Sequence, residues 1–395
     1  MIYLNNAATS HPKPDAVYDE VCRELRNASA DPGRSAHRKA SDAGRMIFET
    51  REKLARLFGI RQSGRIIFTS NATIALNLAT MGFLIPGDHC ITTGMEHNAL
   101  GRPLEFLARR GVFVEKVPCS PLGDLAAKDV AAAITNRTRL IAITHASNVI
   151  GTLTPLAEIG AIARRHGVPL LVDASQTAGA FPLDVEELGI DLLACPGHKG
   201  LLGPQGTGVL YVAPQLQLSP ILFGGTGSHS AEVLMPDFLP DRHEPGTLNS
   251  PGIAGLGAGV QFLLDQGVAQ IRTHELALCG RLLEGLAGID GMALYGHPDP
   301  ARRASVVSFN VRGMDPAEMG NRLDEAFDIA ARVGLHCAPD AHRTMGTFPM
   351  GAVRLSPGYF NTLADVDAAI EAVRCVTRDH QKGARQLAPA SSSVG

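Results

Sequence analysis

Short apolar runs rich in β-branched residues alternate with amphipathic stretches from residue 64 to residue 212. The apolar runs are RIIFTS, CITT, VFVEKVP, RLIAITHAS, PLLVDA, IDLLAC and GVLYVA, and the amphipathic stretches are ATIALNLATMGFL, NALGRPLEFLARR, DLAAKDVAAAI and LAEIGAIARRHG. Strands that alternate with helices predict βα units, and therefore an α/β fold with a mainly parallel sheet covered on both faces. Ligands of such sheets bind at the carboxyl ends of the strands. The polar residues at those ends are therefore candidate site residues: Asn71, Thr73, Glu96, His97, His145, Asn148, Asp173 and Gln176.

The sequence pattern changes after about residue 250, where two long helical patterns replace the alternation of strands and helices. These patterns are followed by the strand candidates MALYG and SVVSFNV and by a final helix near Ala364–Cys375. We predict a large domain over 15–250 and a smaller α+β domain over 251–384, which also contains residues 1–14. The polar tail over 385–395 is expected to be flexible.

The composition excludes several classes of function for this chain of 395 residues. The formal net charge is −3, which gives no indication of the basic surface that binds nucleic acids, so no nucleic-acid partner is expected. The N-terminus lacks a basic segment followed by an apolar one, and no apolar run reaches the roughly 18 residues that a membrane span needs. We therefore expect a cytoplasmic protein without a membrane partner. The seven cysteines are scattered without a CxxC pair, so neither a disulfide framework nor a metal site is expected.

The segment Gly197–Gly200, with sequence GHKG, is the strongest local signal of chemistry. It lies between the apolar run IDLLAC and the glycine-rich LLGPQGTG. A lysine in such a turn is most often a solvated surface residue, but one desolvated between a strand and a glycine-rich loop can lose its proton and form a Schiff base. Asp173 ends the apolar run PLLVD. An aspartate there is often only a helix cap, but together with Lys199 it fits the acid that keeps a pyridinium protonated.

A site for a phosphate is indicated by Thr69–Thr73, which follows the run RIIF and opens a helix. The first amides of a helix have no partner within it, and the positive end of the helix dipole attracts anions. Alone, this segment would be a well-capped helix. The candidate phosphate site at Thr69–Thr73, the acid Asp173 and the lysine Lys199 lie in one α/β domain. Together they indicate a pyridoxal 5'-phosphate (PLP) enzyme.

The chain resembles the class V aminotransferase family, and within it the cysteine desulfurase and selenocysteine lyase branch. The resemblance runs from YLNNAATS at residue 3 to RLSPGYFNT ending at residue 362. Its motifs are Met95–Asn98, His145–Asn148, Val172–Gln176, Gly197–Lys199, Gly246–Thr247, Gly334–Cys337 and Arg354. The resemblance implies a fold-type I PLP-dependent transferase that forms a homodimer with its active sites at the interface.

Five residues are implied by the resemblance to contact the cofactor ring. Lys199 would hold PLP and later move the substrate Cα proton, and Asp173 would pair with the pyridinium. Gln176 would donate to the ring oxygen. His97 would stack on the ring face and shuttle protons, and Asn148 would lie beside both the ring oxygen and the substrate.

The resemblance also implies the phosphate ligands. Thr73, the backbone amide of Ala72 and His198 would hold the phosphate within one subunit. Thr247 of the neighbouring subunit would complete the site. Pro196 replaces a short hydroxyl residue of the family, so one phosphate ligand is absent.

The substrate and the sulfur are implied to meet a further set of residues. Arg354 would grip the amino acid carboxylate with two parallel hydrogen bonds, which a lysine could not provide. Arg332 matches a second arginine of the family's active site. Cys337 lies where the family places its sulfur-accepting nucleophile, and we expect His336 and the two arginines to lower the pKa of its thiol.

Other departures from the family lie near these motifs. Asn5 stands in place of a carboxylate in the N-terminal motif, Ile74 replaces a glutamate at the phosphate cradle, and Pro357 replaces a larger apolar residue.

We predict that the chain is a PLP-dependent cysteine desulfurase, which converts L-cysteine to L-alanine and leaves the sulfur on Cys337 as a persulfide. The acceptor of that sulfur would be a protein or a small thiol. One alternative is a C–S or C–Se lyase, such as a selenocysteine lyase or a specialised class V enzyme, which needs no persulfide. Another is a sulfur-relay subunit without activity, which the pairing of Lys199 with Asp173 disfavours.

Overall fold

Strands and helices alternate along most of the chain in the computed structural model, which describes residues 1–27, 32 and 37–387. The strands are β1 (Ile2–Tyr3), β2 (Ile66–Thr69), β3 (His89–Thr93), β4 (Phe113–Val117), β5 (Thr138–Thr144), β6 (Leu170–Asp173), β7 (Leu192–Pro196), β8 (Gly208–Val212), β9 (Met292–Tyr295), β10 (Val307–Val311), β11 (Ile329–Ala330), β12 (Arg332–Gly334) and β13 (Ala352–Leu355). The helices are α1 (Asp15–Asn27), α2 (Arg38–Phe58), α3 (Ala72–Met81), α4 (Asn98–Ala108), α5 (Ala127–Ala133), α6 (Leu156–His166), α7 (Ser250–Gln266), α8 (Val268–Ala287), α9 (Pro316–Phe327), α10 (Pro339–Met345) and α11 (Leu363–Leu387).

A seven-stranded sheet with the order β2-β8-β7-β6-β5-β3-β4 forms the centre of the larger unit. The strands β4, β3, β5, β6 and β7 run parallel, whereas β8 pairs antiparallel with both β7 and β2. Strands β3, β5, β6, β7 and β8 are almost entirely buried, as expected when helices cover both faces of a sheet. The predicted α/β fold with a mainly parallel sheet is confirmed.

The smaller unit is an antiparallel sheet with the order β12-β13-β10-β9. Helices α8, α9 and α11 pack with this sheet around a separate apolar core that includes Leu282, Phe309 and Val373. Strand β1 pairs with β11, so the N-terminus joins this unit.

Helix α7 packs against α1 and α2 rather than with the smaller unit. Its buried Leu256 and Val260 belong to the core of the large sheet. The large unit therefore extends past residue 250, where we predicted the boundary, because the apolar face of α7 finds its partner surface there. The rest of the predicted division remains a prediction.

The last helix, α11, continues to Leu387, so residues 385–387 of the predicted tail are helical. Residues 388–395 lie outside the described part of the chain. Among the described residues, none of the helices combines the length and hydrophobicity that a bilayer crossing requires.

Candidate active site

A cavity of about 210 Å³ lies at the carboxyl ends of the central strands, where the smaller unit meets the sheet. The predicted site residues that line it are Ala72, Thr73, His97, Asn148, Asp173, Gln176, His198, Lys199, Arg332, Cys337 and Arg354. Ala7, Ala8, Asn71, Ala146, Ser175 and Pro196 line it as well. The structure thus brings these residues together, whereas Glu96, His145 and Thr247, which the sequence also marked as candidates, do not line this cavity.

Lys199 follows the end of β7 in the turn that the GHKG motif forms. The next residue must be a glycine, because a Cβ at Gly200 would lie 2.4 Å from the carbonyl oxygen of Ala178. Burial lowers the pKa of Lys199 to about 8, and the carboxylate of Asp173 opposes this shift. Near neutral pH, part of the Lys199 population is therefore the neutral amine, which is the nucleophilic form.

Asp173 is the last residue of β6 and is 2% exposed. Its Oδ1 accepts a hydrogen bond of 2.9 Å from the backbone amide of Ser175. This bond fixes the carboxylate at the floor of the cavity. Gln176, in the same turn, is held by a bond of 3.1 Å from its Nε2 to the carbonyl of Ala7.

The amino terminus of α3 forms another wall of the cavity. Asn71 caps this helix, since its Oδ1 accepts from the amide of Ile74 at 3.0 Å. Thr73 is exposed in the first turn, where amides have no partner within the helix. Opposite, burial and the charge of Lys199 lower the pKa of His198 to about 4, so its ring is neutral.

His97 caps the amino terminus of α4. Its Nδ1 accepts from the amide of Ala99 at 3.0 Å, so the proton of the neutral ring resides on Nε2. Burial, followed by the charge of Lys199, lowers the pKa of His97 to about 4. The ring therefore enters the cavity wall as a neutral imidazole.

Two arginines face each other across neighbouring strands at the roof of the cavity. Arg332 of β12 and Arg354 of β13 are direct partners in an antiparallel pair, an arrangement that like charges destabilise. Arg354 is 1% exposed, and burial together with Arg332 lowers its pKa to about 9. Its Nη1 donates to the carbonyl of Asn148 at 2.7 Å and its Nη2 to Oδ1 of Asn5 at 3.2 Å. A carboxylate bound here would relieve the repulsion between the two cations.

Cys337 is exposed and lies in a left-handed backbone segment. His336 has a φ of 50° and Cys337 a φ of 59°, a conformation that is strained for residues with side chains. Two bonds to the large unit hold the segment: Asn98 donates its amide to the carbonyl of Cys337 at 2.8 Å, and Asn148 donates Nδ2 to the carbonyl of His336 at 2.7 Å. Nη2 of Arg332 lies 3.5 Å from Sγ of Cys337. The thiol is therefore presented at the cavity mouth beside a guanidinium.

His336 does not add positive charge beside the thiol, in contrast to our expectation. The side chain is buried, and desolvation followed by the charge of Arg354 lowers its pKa to about 2. Its neutral ring packs at 5.4 Å from the ring of His342. Arg332 is the cation in contact with the sulfur.

Thr247 lies outside this cavity within a single chain. It is exposed and lines a separate hollow with Ser70 and Glu244. Glu244 fastens that loop to the sheet, since it pairs with Arg51 and its Oε1 accepts from the amide of Phe68 at 2.6 Å. The predicted contribution of Thr247 to a neighbouring subunit remains a prediction.

The N-terminal segment contributes more to the site than the sequence indicated. The LNNAAT motif at Leu4–Thr9 was visible, but its contacts with Arg354 through Asn5 and with Gln176 through Ala7 were not. Polar and small residues grouped before the first helix are the signal that could have located them.

The family model of Aminotransferase class-V matches residues 2–369. The chain belongs to this family.

Relatives and solved structures agree on one branch of the family. The chain is 36% identical over 372 residues to a probable cysteine desulfurase of Methanothermobacter thermautotrophicus, which covers 92% of each chain. It is 34% identical to a cysteine desulfurase of Yersinia pseudotuberculosis, covering 96% of this chain and 94% of that one. The apo structure of a cysteine desulfurase from Thermococcus onnurineus superimposes with a TM-score of 0.89 at 31% identity, covering 95% of this chain and 94% of that one.

Proposed function

We propose that this chain is a PLP-dependent cysteine desulfurase, which removes sulfur from L-cysteine and leaves L-alanine. The observation that carries the proposal is the contact between Arg332 and the sulfur of Cys337 at the mouth of the cavity that contains Lys199 and Arg354. An amine, a carboxylate-binding cation and a thiol are the three groups that the reaction needs. The names of the relatives at about one-third identity support the same activity.

The cavity residues fit PLP in charge and in hydrogen bonding. The carboxylate of Asp173 would pair with the pyridinium, and the unpaired amides of the first turn of α3, with Thr73 and His198, would hold the phosphate. Oδ1 of Asn148 and Nδ1 of His198 are buried and have no hydrogen-bond partner among the described residues. Buried polar atoms in this state require a partner, and a polar ligand would supply it.

Lys199 would be the attachment point of PLP at rest, and its Nζ would become free when the substrate amine takes its place. The bound group would supply an electron sink for negative charge at the substrate Cα. Arg354 then binds the substrate carboxylate and orients the Cα–H bond toward Lys199. Nζ of Lys199 takes and returns the proton, a role that suits an amine whose pKa is about 8. The Nε2 of His97 carries the ring proton, because its Nδ1 accepts from Ala99, so this N–H would be available as a hydrogen-bond donor in the cavity.

The Cys337 thiolate accepts the sulfur of the substrate. A bond forms between the two sulfur atoms while the bond from the substrate Cβ to its sulfur breaks, and the electron pair of that bond remains with carbon, which takes a proton to give alanine. Nη2 of Arg332 lies 3.5 Å from Sγ, so a positive charge faces the sulfur that forms the new bond. The persulfide then passes to a thiol, either small or on a partner protein, and Cys337 is exposed for that transfer.

The proposal is tested by mass spectrometry of the intact protein after incubation with PLP and L-cysteine without reductant. We expect one added sulfur atom on the Cys337 peptide, lost again with dithiothreitol. Selenocysteine offered in competition tests the other substrate of this branch. Pyruvate without added sulfur on Cys337 would contradict the desulfurase and support a lyase.

We further propose a homodimer in which Thr247 of one subunit reaches the phosphate site of the other. Its support is the exposed position of Thr247 on a loop that Glu244 fixes. Thr247→Ala is expected to weaken PLP binding about tenfold, the effect of one lost hydrogen bond to a charged group. Because Pro196 offers no hydroxyl to the phosphate, the effect should be larger than it would be with a hydroxyl residue at that position. The measurements are the PLP dissociation constant and the sedimentation coefficient.

Thr273→Ala, which alters an exposed threonine on α8, is the matched control and should leave PLP binding unchanged. A monomer that binds PLP with the affinity of the wild type at all protein concentrations would contradict the arrangement.

All seven cysteines are free in the structure, which agrees with the reducing cytoplasm that we propose as the location.

A further inference from the structure

The carbonyl oxygen of His198, directly before Lys199, is surrounded by donors from the N-terminal segment. The backbone amide of Ser10 lies at 3.0 Å, Oγ1 of Thr9 at 3.1 Å and Nζ of Lys13 at 2.8 Å. Oγ of Ser10 lies 3.2 Å from this oxygen and 2.8 Å from the carbonyl oxygen of Lys199. The peptide group that carries Lys199 is thus held from outside its own loop.

The hydrogen bonds around Ser10 have one consistent arrangement. Nζ of Lys13 lies 2.6 Å from Oγ of Ser10 and can only donate to it. The single hydroxyl hydrogen of Ser10 is then free for its nearer acceptor, the carbonyl of Lys199. The result is a chain from the ammonium group of Lys13 through Ser10 to Lys199, with a second branch from Lys13 to His198.

Lys13 gives up hydration to occupy this position. Its side chain is half-buried and burial lowers its pKa to about 8, while Ser10 is 8% exposed. A lysine that served only solubility would keep its ammonium group in water. The hydrogen bonds that replace the lost water go to Ser10 and to the carbonyl of His198, and Ser10 in turn donates to the carbonyl of Lys199.

We propose that Lys13 is a positioning residue for Lys199: through Ser10 and the carbonyl of His198 it fixes the main chain from which the reactive amine projects into the cavity. The inference rests on the proposed function for the role of Lys199. The same N-terminal segment contacts Gln176 through Ala7 and Arg354 through Asn5. Lys13 therefore holds one end of a segment that contacts two further site residues besides Lys199.

The test compares Lys13→Met with Lys13→Arg and with Lys128→Met, which alters an exposed lysine at the start of α5. Amide hydrogen exchange is followed in the PLP-loaded full-length protein, and kcat and KM for L-cysteine are measured. For Lys13→Met we expect exchange about tenfold faster in the peptide covering 197–203 and unchanged exchange in peptides from α6 and α11. We expect kcat to fall about ten- to a hundredfold with KM little changed, because a small misplacement of a reacting group has effects of this size.

Lys13→Arg keeps the charge and the N–H donors, so it is expected to restore most of the protection and of kcat. Ser10→Ala interrupts the same chain and should reproduce the local pattern, and it serves as the test if Lys13→Met does not fold. Unchanged exchange at 197–203 would overturn the proposal. Equal acceleration in all peptides would overturn it too, since Lys13 would then act on general stability. Hydrogen exchange does not depend on turnover, so failure of the proposed reaction in the wild type is distinguishable from failure of this inference.

Discussion

Cys337→Ser is expected to abolish sulfur transfer while PLP and L-cysteine still bind. Neither binding step uses the thiol, whereas attack on the substrate sulfur requires a thiolate, and a serine hydroxyl is not ionised at neutral pH. The rate of alanine formation in the presence of dithiothreitol should fall by about three orders of magnitude or more. Alanine is measured by amino acid analysis, pyruvate with lactate dehydrogenase, and PLP binding by the absorbance of the cofactor.

Cys22→Ser is the matched control, because Cys22 is also exposed but lies on α1, away from the cavity. It should retain full activity. If Cys337→Ser formed alanine at the wild-type rate, the persulfide route would be excluded. If it formed pyruvate at that rate, the protein would be a lyase that expels sulfur by elimination.

Lys199→Ala is expected to remove both activity and the covalent attachment of PLP. The wild type should be yellow, and borohydride should fix the cofactor irreversibly to the peptide that contains Lys199, since an amine with a pKa of about 8 is available to react. In the variant, PLP is held only by non-covalent contacts and should be removed by dialysis. The proton at the substrate Cα also loses its acceptor, so turnover should fall by at least about a thousandfold.

Lys128→Ala should behave as the wild type in the same assays, because this lysine is exposed on α5. Borohydride labelling that persists at full level in Lys199→Ala would place the attachment on another lysine. The peptide map would then identify that lysine.

The larger unit could be predicted from the sequence because its strands are short, buried runs. Every residue of β7 and the last five of the seven residues of β5 are buried, so the apolar runs coincide with the elements. The placement of α7 could not be predicted, since an amphipathic helix specifies an apolar face but not its partner. The strand β12 has three residues, too few for a periodic pattern, although Arg332 lies on it.

The helix α9 was missed although its start carries a signal. Asp315 caps it by accepting from the amide of Ala317 at 2.7 Å, and Pro316 follows at the first helical position.

Motif and resemblance predicted residues that the structure places around one cavity, but they did not predict the electrostatic states of those residues. The sequence places His336 beside Cys337 and so suggests a cation there, whereas its burial keeps the ring neutral. Burial of one side chain depends on what packs over it, here the ring of His342. The proposed role of Lys13 likewise depends on a contact across 185 positions of sequence, which no local pattern contains.

The Cys337 segment is attached to the large unit at several points, and this attachment limits how the sulfur of the proposed persulfide could leave the protein. Beyond the two hydrogen bonds from Asn98 and Asn148, Ala338 just before helix α10 and Ala341 within it are buried in one apolar cluster with Met95 and Val149. The backbone at Cys337 is therefore fixed, and it could not move the sulfur outward by a loop motion. Only rotation about the side-chain bonds of Cys337 remains, which spans a few ångströms. Under the proposed function, the sulfur would therefore be transferred at the protein surface, and an acceptor would have to bring its own thiol to the cavity mouth, on a projecting loop or as a small molecule.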